Sequence, residues 1–477
     1  MNILSILLAL VIFGFLIFIH ELGHFVVARL CGVKVLEFAI GMGPKIFSKK
    51  SKKSGTVYSL RCIPIGGYVS MLGENGMEAV QGSSEENTEA AGVGDGTAGG
   101  DGFFLNVEKG VGDDSEGAKG KPAYDTEAHY SAEEAKHAYC NQSVWKRILI
   151  SLAGPVMNLV LGFVLMLGIV IAAGQNNVGT TQVTDFYIQY AAEDGYAGLA
   201  KGDYFDRIDG EIIHSLAQLK EYVAARDGET FTLSVLRYNQ TAKQYERVTL
   251  SDVVLTLDHL EGALFNSPSE QSGLCVGDQI IKVNGTRVHT YHDLAYEIAM
   301  QGYKPLELTV VRNGEKVVLS DLKVPNKVEE GIAMGMVDFV VQSEDHFGVG
   351  TILKQTWFRS VSMVKMVYDT FAGLFSGRFG MEAVSGPIGI TQTISDAAKS
   401  GGALNVFTLV TMISINLGIM NLLPLPALDG GHLFLYIIEV IRRKPVKKEI
   451  EGMINFIGLI IILTLAVLVA IKDIIAL

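Results

Sequence analysis

The feature that most constrains this chain is Phe18-Ile19-His20-Glu21-Leu22-Gly23-His24, a H-E-x-x-H motif inside an almost unbroken apolar run from Ile3 to Leu30. At about 1.5 Å per helical residue such a run spans the roughly 30 Å core of a bilayer. On a helix His20 and His24 are i and i+4, so both imidazoles leave one face and can hold one zinc ion, with Glu21 beside them to take a proton from activated water. Chance H-E-x-x-H motifs occur on ordinary soluble helices. Within hydrocarbon, however, each ionisable group costs about 2.5 to 3.5 kcal/mol, so an unused trio is not expected there. The run is too long for a secretory signal and has no small-residue cleavage pattern after it, so it reads as a retained span, residues 1–32 with the following turn.

Three more stretches are apolar enough to span: Ile148 to Ala173, Ala403 to Leu423, and Ile454 to Ile471. With 49% hydrophobic residues in 477, the chain reads as a polytopic membrane protein. Lys45, Lys49, Lys50, Lys52, Lys53 and Arg61 follow the first span, and Arg442, Arg443, Lys444, Lys447 and Lys448 separate the third from the fourth. The positive-inside rule makes both loops cytoplasmic and leaves the long segment from Gln175 to Gly402 outside. The net charge of −12 is concentrated between Glu74 and Glu134, and there is no basic face with interleaved aromatics, which excludes a nucleic-acid surface. Cys31, Cys62, Cys140 and Cys275 form no C-x-x-C pair, so neither a thiolate zinc site nor a disulfide framework is expected.

Between the spans the pattern changes character. Residues 33–72 read as a small β element: Val57-Tyr58-Ser59-Leu60 alternates, with turns at Gly41-Met42-Gly43-Pro44 and Pro64-Ile65-Gly66-Gly67-Tyr68. It is either membrane-associated, through Phe38, Ile40, Ile46 and Phe47, or a plain connector. Residues 73–140 form an acidic, Gly- and Ser-rich insert with little to bury, and disorder is expected there. Beyond the second span (148–173) lies an internal repeat. Gly198-Leu199, Gly202-Asp203 and Ile208-Asp209-Gly210 recur as Gly273-Leu274, Gly277-Asp278 and Val283-Asn284-Gly285, and Leu233-Ser234-Val235-Leu236-Arg237 recurs as Leu308-Thr309-Val310-Val311-Arg312, each pair displaced by 75 positions. The copies, 178–257 and 258–326, each read as strand, turn, helix, strand and hairpin, with Asn313-Gly314 the tight turn of the second and a longer turn around Gln240 to Tyr245 in the first. The pattern resembles the PDZ domain. The resemblance implies an extended peptide, often a C-terminus, taken as an added strand; for the first copy a spacer role is equally open. Residues 351–400 read as an amphipathic helix (Trp357, Val361, Val364, Val367, Phe371), on the membrane surface or against the bundle, followed by a turn at Ser385-Gly386-Pro387-Ile388-Gly389-Ile390.

Two histidines leave a catalytic zinc short of a third protein ligand. The third span, residues 403–441 with its extension, supplies a candidate in Asn421-Leu422-Leu423-Pro424-Leu425-Pro426-Ala427-Leu428-Asp429-Gly430-Gly431, where two prolines interrupt a helix ahead of one carboxylate. His20 lies about 25 Å below the outer edge and Leu423 about 30 Å, so both halves meet near the inner side.

His20-Glu21-Leu22-Gly23-His24 paired with Asn421 to Gly430 resembles the site-2 protease family of intramembrane zinc metalloproteases. With the PDZ-like pair, the chain is most similar to the bacterial members that cleave anti-sigma factors. The resemblance extends over Leu152-Ala153-Gly154-Pro155-Val156-Met157-Asn158 and the fourth span (453–472), but not over the acidic insert. It implies an α-helical membrane protein of four spans, with a membrane-associated β element and two external PDZ-like α+β domains. It also implies Zn2+ held by His20, His24 and Asp429, with Glu21 as general base and Asn421 near substrate. The implied substrates are membrane proteins, anti-sigma factors or signal-peptide remnants, pre-trimmed by another protease, and the implied location is the bacterial inner membrane with the insert cytoplasmic. Asn421 could instead satisfy carbonyls freed by Pro424. His432 is expected to support the site or pack beside it, and Asn158 to serve as a polar helix-packing group. A rival of another class is a membrane-anchored adaptor whose metal site is structural; such a site would have no need of Glu21.

Overall fold

The structure, a computed structural model, describes residues 3–74, 132–174, 178–190, 192, 195–213, 216–226, 228–239, 244–261, 265–329, 332–344, 346–378, 380, 384 and 386–475. Helix α1 (Ile3–Leu30) leads into strands β1 (Val35–Lys50) and β2 (Val57–Met71). Both strands bend at their glycines, so that Phe38 pairs with Val69 on one side and Tyr58 on the other. The hairpin rests on α1 through Phe38, whose ring meets Phe18 and Phe25 at centroid distances of 6.0 and 5.1 Å. Residues 75–131, most of the acidic insert, lie outside the described residues. Its expected end at 140 is too late, because α2 (Ala132–Ala135) and the turn Tyr139–Asn141 are folded onto the hairpin base, where Tyr139 N–H donates to Leu72 O at 2.7 Å. Low apolar content over the whole window concealed this short anchor, whose buried members are Ala138 and Tyr139. Helix α3 (Val144–Ala173) follows.

The two repeats fold as two sheets that do not divide where the sequence displacement places them. The order of elements is β3 (Gly179–Phe186), β4 (Gln189–Tyr190), β5 (Tyr204–Ile208), β6 (Glu211–Ile212), α4 (Leu216–Ala224), β7 (Thr230–Asn239), β8 (Gln244–Val254), α5 (Leu257–Glu261), β9 (Phe265–Asn266), α6 (Pro268–Gln271), β10 (Gln279–Val283), β11 (Thr286–Arg287), α7 (Tyr291–Ala299), β12 (Leu306–Arg312), β13 (Glu315–Leu322), β14 (Asn326–Glu329), β15 (Ile332–Gly335) and β16 (Phe339–Ser343). The first sheet runs β8-β7-β5-β4-β9 and the second β13-β12-β10-β3-β16. The first module is therefore nested inside the second, which takes its β3 from before the first begins. The expected boundaries 178–257 and 258–326 are corrected accordingly. Displacement by 75 carries Tyr190 onto Phe265, and these two residues pair with each other in the first sheet. The place opened in the second sheet is filled by β3: Gly277 N–H donates to Val183 O at 2.8 Å, as Gly202 N–H donates to Tyr190 O at 2.8 Å. Periodicity reports local pattern, whereas strand pairing is a long-range choice that no repeat length encodes.

Each module keeps one buried ion pair at the repeat distance. Arg237 Nη2 reaches Asp203 Oδ2 at 2.7 Å and Gly198 O at 2.7 Å, and Arg312 Nη2 reaches Asp278 Oδ2 at 2.7 Å and Gly273 O at 2.8 Å. The tight turn at Asn313-Gly314 is present, while residues 240–243 of the longer one lie outside the described residues.

Helix α8 (Val349–Phe375) packs on the bundle along one side. Its apolar residues pack on Met166, Ile169 and Val170 of α3 and, through Val367, on Ile415 and Ile419 of the next helix. On its other side it carries the second module: Tyr296 O–H donates to Asp369 Oδ2 at 2.7 Å, and His289 stacks on Phe358 at 4.1 Å. Helix α9 (Pro387–Leu422) begins where a turn was expected, with proline at its first position and a break at Gly402. Proline's fixed φ suits a helix start as well as a turn, and Ser385 lies outside the described residues. The third span is not continuous over 403–441: α9 ends at Leu422 and α10 (Asp429–Arg442) is a separate helix after the proline loop. Helix α11 (Lys448–Ile475) follows, and among the described residues four helices are apolar and long enough to cross a membrane, covering Ser5–Leu30, Val144–Ala173, Gly402–Leu422 and Ile450–Asp473.

Candidate metal centre

The two histidines leave α1 one turn apart, as i and i+4 require, and both are buried. The third donor arrives from the other end of the chain. Pro424 and Pro426 cannot continue α9, the loop turns through Ala427 at φ 67°, and α10 opens on Asp429. Asp429 Oδ2 lies 3.1 Å from His20 Nε2 and 3.4 Å from His24 Nε2, and the two Nε2 atoms are 3.2 Å apart. Ligands about 2.0 to 2.1 Å from a tetrahedral zinc are separated by roughly 3.3 Å, so this triangle has the edge length of three corners of such a site. Among the described residues it is the one group of three such donors close enough to share an ion.

The far nitrogens of both rings have polar partners. His24 Nδ1 is 2.8 Å from Ile150 O, so Nδ1–H donates there and Nε2 keeps its lone pair. Asn158 Nδ2 lies 3.3 Å from His20 Nδ1, while Asn158 Oδ1 is buried without a hydrogen-bond partner among the described residues. Amide oxygen and nitrogen are alike in shape, and the orientation that aims the carbonyl at the ring lets Nδ1–H donate and likewise frees Nε2. Asn158, fully buried on α3, is thus more than the packing group expected of it. Gly154, one helical turn earlier, faces the same rings: a Cβ there would lie 2.3 Å from His24 Nε2 and 2.8 Å from His20 Cε1.

These groups open into a cavity of about 250 Å³ lined by His20, Glu21, His24, Tyr68, Glu74, Asp429, His432 and Tyr436 among others. Glu21 lines the cavity beside the triangle. Asn421 is not among the lining residues; it sits half-buried in the last turn of α9, before the prolines. His432 faces the cavity with Nδ1 3.1 Å from Glu451 Oε1. Sequence reasoning did not single out Glu74, Tyr139, Tyr436 or Glu451. Tyr436 was within reach, since Asp429, His432 and Tyr436 are i, i+3 and i+7 on one helical face. Glu451 carried no comparable signal.

The model of the peptidase family M50 matches residues 8–465. The chain is 30% identical over 498 aligned residues to the regulator of sigma-W protease RasP of Bacillus subtilis, covering 98% of each protein. It is 28% identical to the zinc metalloproteases RasP of Shouchella clausii, with 98% of both chains covered, and of Geobacillus kaustophilus, with 98% of this chain and 97% of the relative covered. A match of this extent, over a buried His-His-Asp triangle with zinc-like spacing and an adjacent glutamate, places the chain in peptidase family M50, the site-2 protease family, as a zinc-dependent metalloendopeptidase of the membrane.

Proposed function

We propose that this enzyme cleaves the membrane-spanning segments of single-pass proteins, anti-sigma factors or signal-peptide remnants, in regulated intramembrane proteolysis, with His20, His24 and Asp429 as its zinc ligands. The observation that carries the reading is the convergence of the three donors and Glu21 between helices long and apolar enough to cross a membrane. When bound, zinc polarises the scissile carbonyl and makes water nucleophilic near neutral pH. Glu21 takes the proton from that water and returns it to the leaving amine. The Ile150 carbonyl, and the Asn158 amide with its oxygen turned to the ring, keep both imidazoles in the ligating tautomer. Asn421, at the end of α9, would meet a substrate that unwinds beside the proline loop, holding its exposed backbone. The test uses purified wild type and Glu21→Gln with a single-pass membrane substrate; zinc-dependent cleavage inside the span by the first alone supports the reading, and cleavage only in soluble regions overturns it.

The nested modules are read as PDZ-like and extracytoplasmic, admitting substrates already trimmed outside, with the hairpin and acidic insert on the cytoplasmic side of the inner membrane. Two exposed free thiols test the orientation: Cys275 lies in the second module and Cys62 in the hairpin. A membrane-impermeant maleimide applied to intact cells should label Cys275 and spare Cys62 until lysis, and the reverse pattern would invert the topology. For the gating role, comparison of trimmed and intact substrate should show cleavage of the trimmed form alone.

A further inference from the structure

The loop ahead of Asp429 is supported by α11, the helix that also contributes Glu451 to the cavity. Glu451, Asn455 and Gly458 of α11 are i, i+4 and i+7 and so form one stripe, and each meets the loop or the helix it starts. Asn455 Oδ1 accepts from Ala427 N–H at 3.3 Å, and Glu451 Oε1 lies 3.1 Å from His432 Nδ1. A Cβ on Gly458 would fall 2.2 Å from Pro426 Cβ and 2.9 Å from Pro426 O, so this approach admits only glycine. The neighbouring residues Phe456, Ile457, Leu459, Ile460 and Ile461 are exposed, so the stripe is the part of this segment that engages protein. Ala427 is held at φ 67°, a left-handed conformation that residues with a Cβ avoid, two positions before the metal ligand. A polar Asn within so apolar a helix also needs a partner, and Ala427 N–H provides it.

We propose that Asn455 and Gly458 are positioning residues for the metal centre. Asn455 holds Ala427 in its left-handed conformation, Gly458 seats α11 against Pro426, and together they fix where α10 begins and hence where Asp429 Oδ2 stands. The inference rests on His20, His24 and Asp429 being the zinc ligands. Glycine takes φ near 67° without strain, so Ala427→Gly makes the Asn455 brace dispensable, whereas it does nothing for a general packing defect in α11.

The experiment measures zinc affinity of the full-length protein in lipid nanodiscs by chelator competition, with the thermal midpoint as a check on folding. Asn455→Leu should weaken zinc binding at least about tenfold, in the range seen for groups that orient metal ligands, and Asn455→Leu with Ala427→Gly should return to within about threefold of wild type. Zinc affinity unchanged in Asn455→Leu, or a loss that Ala427→Gly leaves unrepaired, overturns the proposal. If Asn455→Leu is not recovered folded, Gly458→Ala decides from the other contact: tenfold weaker binding supports the brace and unchanged binding overturns it. A wild type that holds no zinc overturns the ligand assignment beneath the proposal, which a zinc-loaded wild type beside an unaffected variant leaves standing.

Discussion

Gly154 of α3 lies so close to His24 of α1 that a single added carbon on the glycine would stand 2.3 Å from the imidazole Nε2. The two helices are also close at Gly23, where an added carbon would lie 2.4 Å from Ala153 O, so α3 packs tightly beneath the imidazole triangle. Gly154→Ala should push the ring off the triangle without introducing charge or breaking α3, alanine being the better helix former. The expected result is zinc binding weakened at least about tenfold and little activity at limiting zinc, from a protein that still purifies as a folded membrane protein. Equilibrium dialysis with metal analysis checks it.

Glu21 lines the same cavity but is not one of the three converging donors. Glu21→Gln should keep zinc at wild-type stoichiometry while peptide cleavage falls by about 10²- to 10⁴-fold, the usual contribution of a general base. Loss of the metal along with activity would instead make Glu21 a ligand.

Asn158 meets His20 at Nδ1, the ring nitrogen opposite the one that faces Asp429. Asn158→Leu keeps the bulk and removes the acceptor, and zinc affinity should fall about 10- to 100-fold. Asn158→Asp, which retains an acceptor, should bind more tightly than the leucine variant, and the difference between the two separates hydrogen bonding from packing.

The carboxylates of Asp203 and Asp278 are almost wholly buried, and besides one backbone N–H, from Ala200 or Cys275, each has one arginine as its charge partner, Arg237 or Arg312. Removing a partner strands a buried charge, so Arg237→Met and Arg312→Met should each cost their module about 3 kcal/mol, toward the lower end for buried pairs because both arginines are partly exposed. The residues lie in different sheets, so the double variant should lose about the sum. Hydrogen exchange resolved to β5 and β10 measures each module separately.

Glu37 in the hairpin gives a pH dependence. Burial alone would raise its pKa, but hydrogen bonds from Ser59, Lys45, Arg61 and Tyr68 outweigh this and hold it down to about 2. A carboxylate with a lowered folded pKa stabilises above its unfolded value, and that stability drains away as pH falls through the folded one. Hairpin protection should therefore be constant above pH 4.5, decline between 4.5 and about 2, and lose this decline in Glu37→Gln. Hydrogen exchange of residues 35–50 against pH reads it directly.

Much of the site was legible before the fold was known, because its chemistry is written in short local patterns. His20, Glu21 and His24 declare themselves by helical spacing, and Pro424, Pro426 and Asp429 by a break followed by a lone carboxylate. Asn158 was seen but undervalued, since its meaning depends on which ring nitrogen of His20 it approaches. The nesting of the modules was invisible for a related reason: a displacement of 75 identifies equivalent residues such as Tyr190 and Phe265 but not that they pair with each other while β3 takes the vacant place.

The sequence by itself determined the spans, the H-E-x-x-H face, the repeat and the proline break, each a consequence of periodicity, backbone restriction or desolvation that acts within a few residues. Tertiary structure alone decided that Asp429 closes the triangle at 3.1 and 3.4 Å, that Gly154 leaves room for the rings, and that Asn455 of α11 meets Ala427 of the loop. Those are distances between segments remote in the chain, set by how helices pack, and no local pattern carries them.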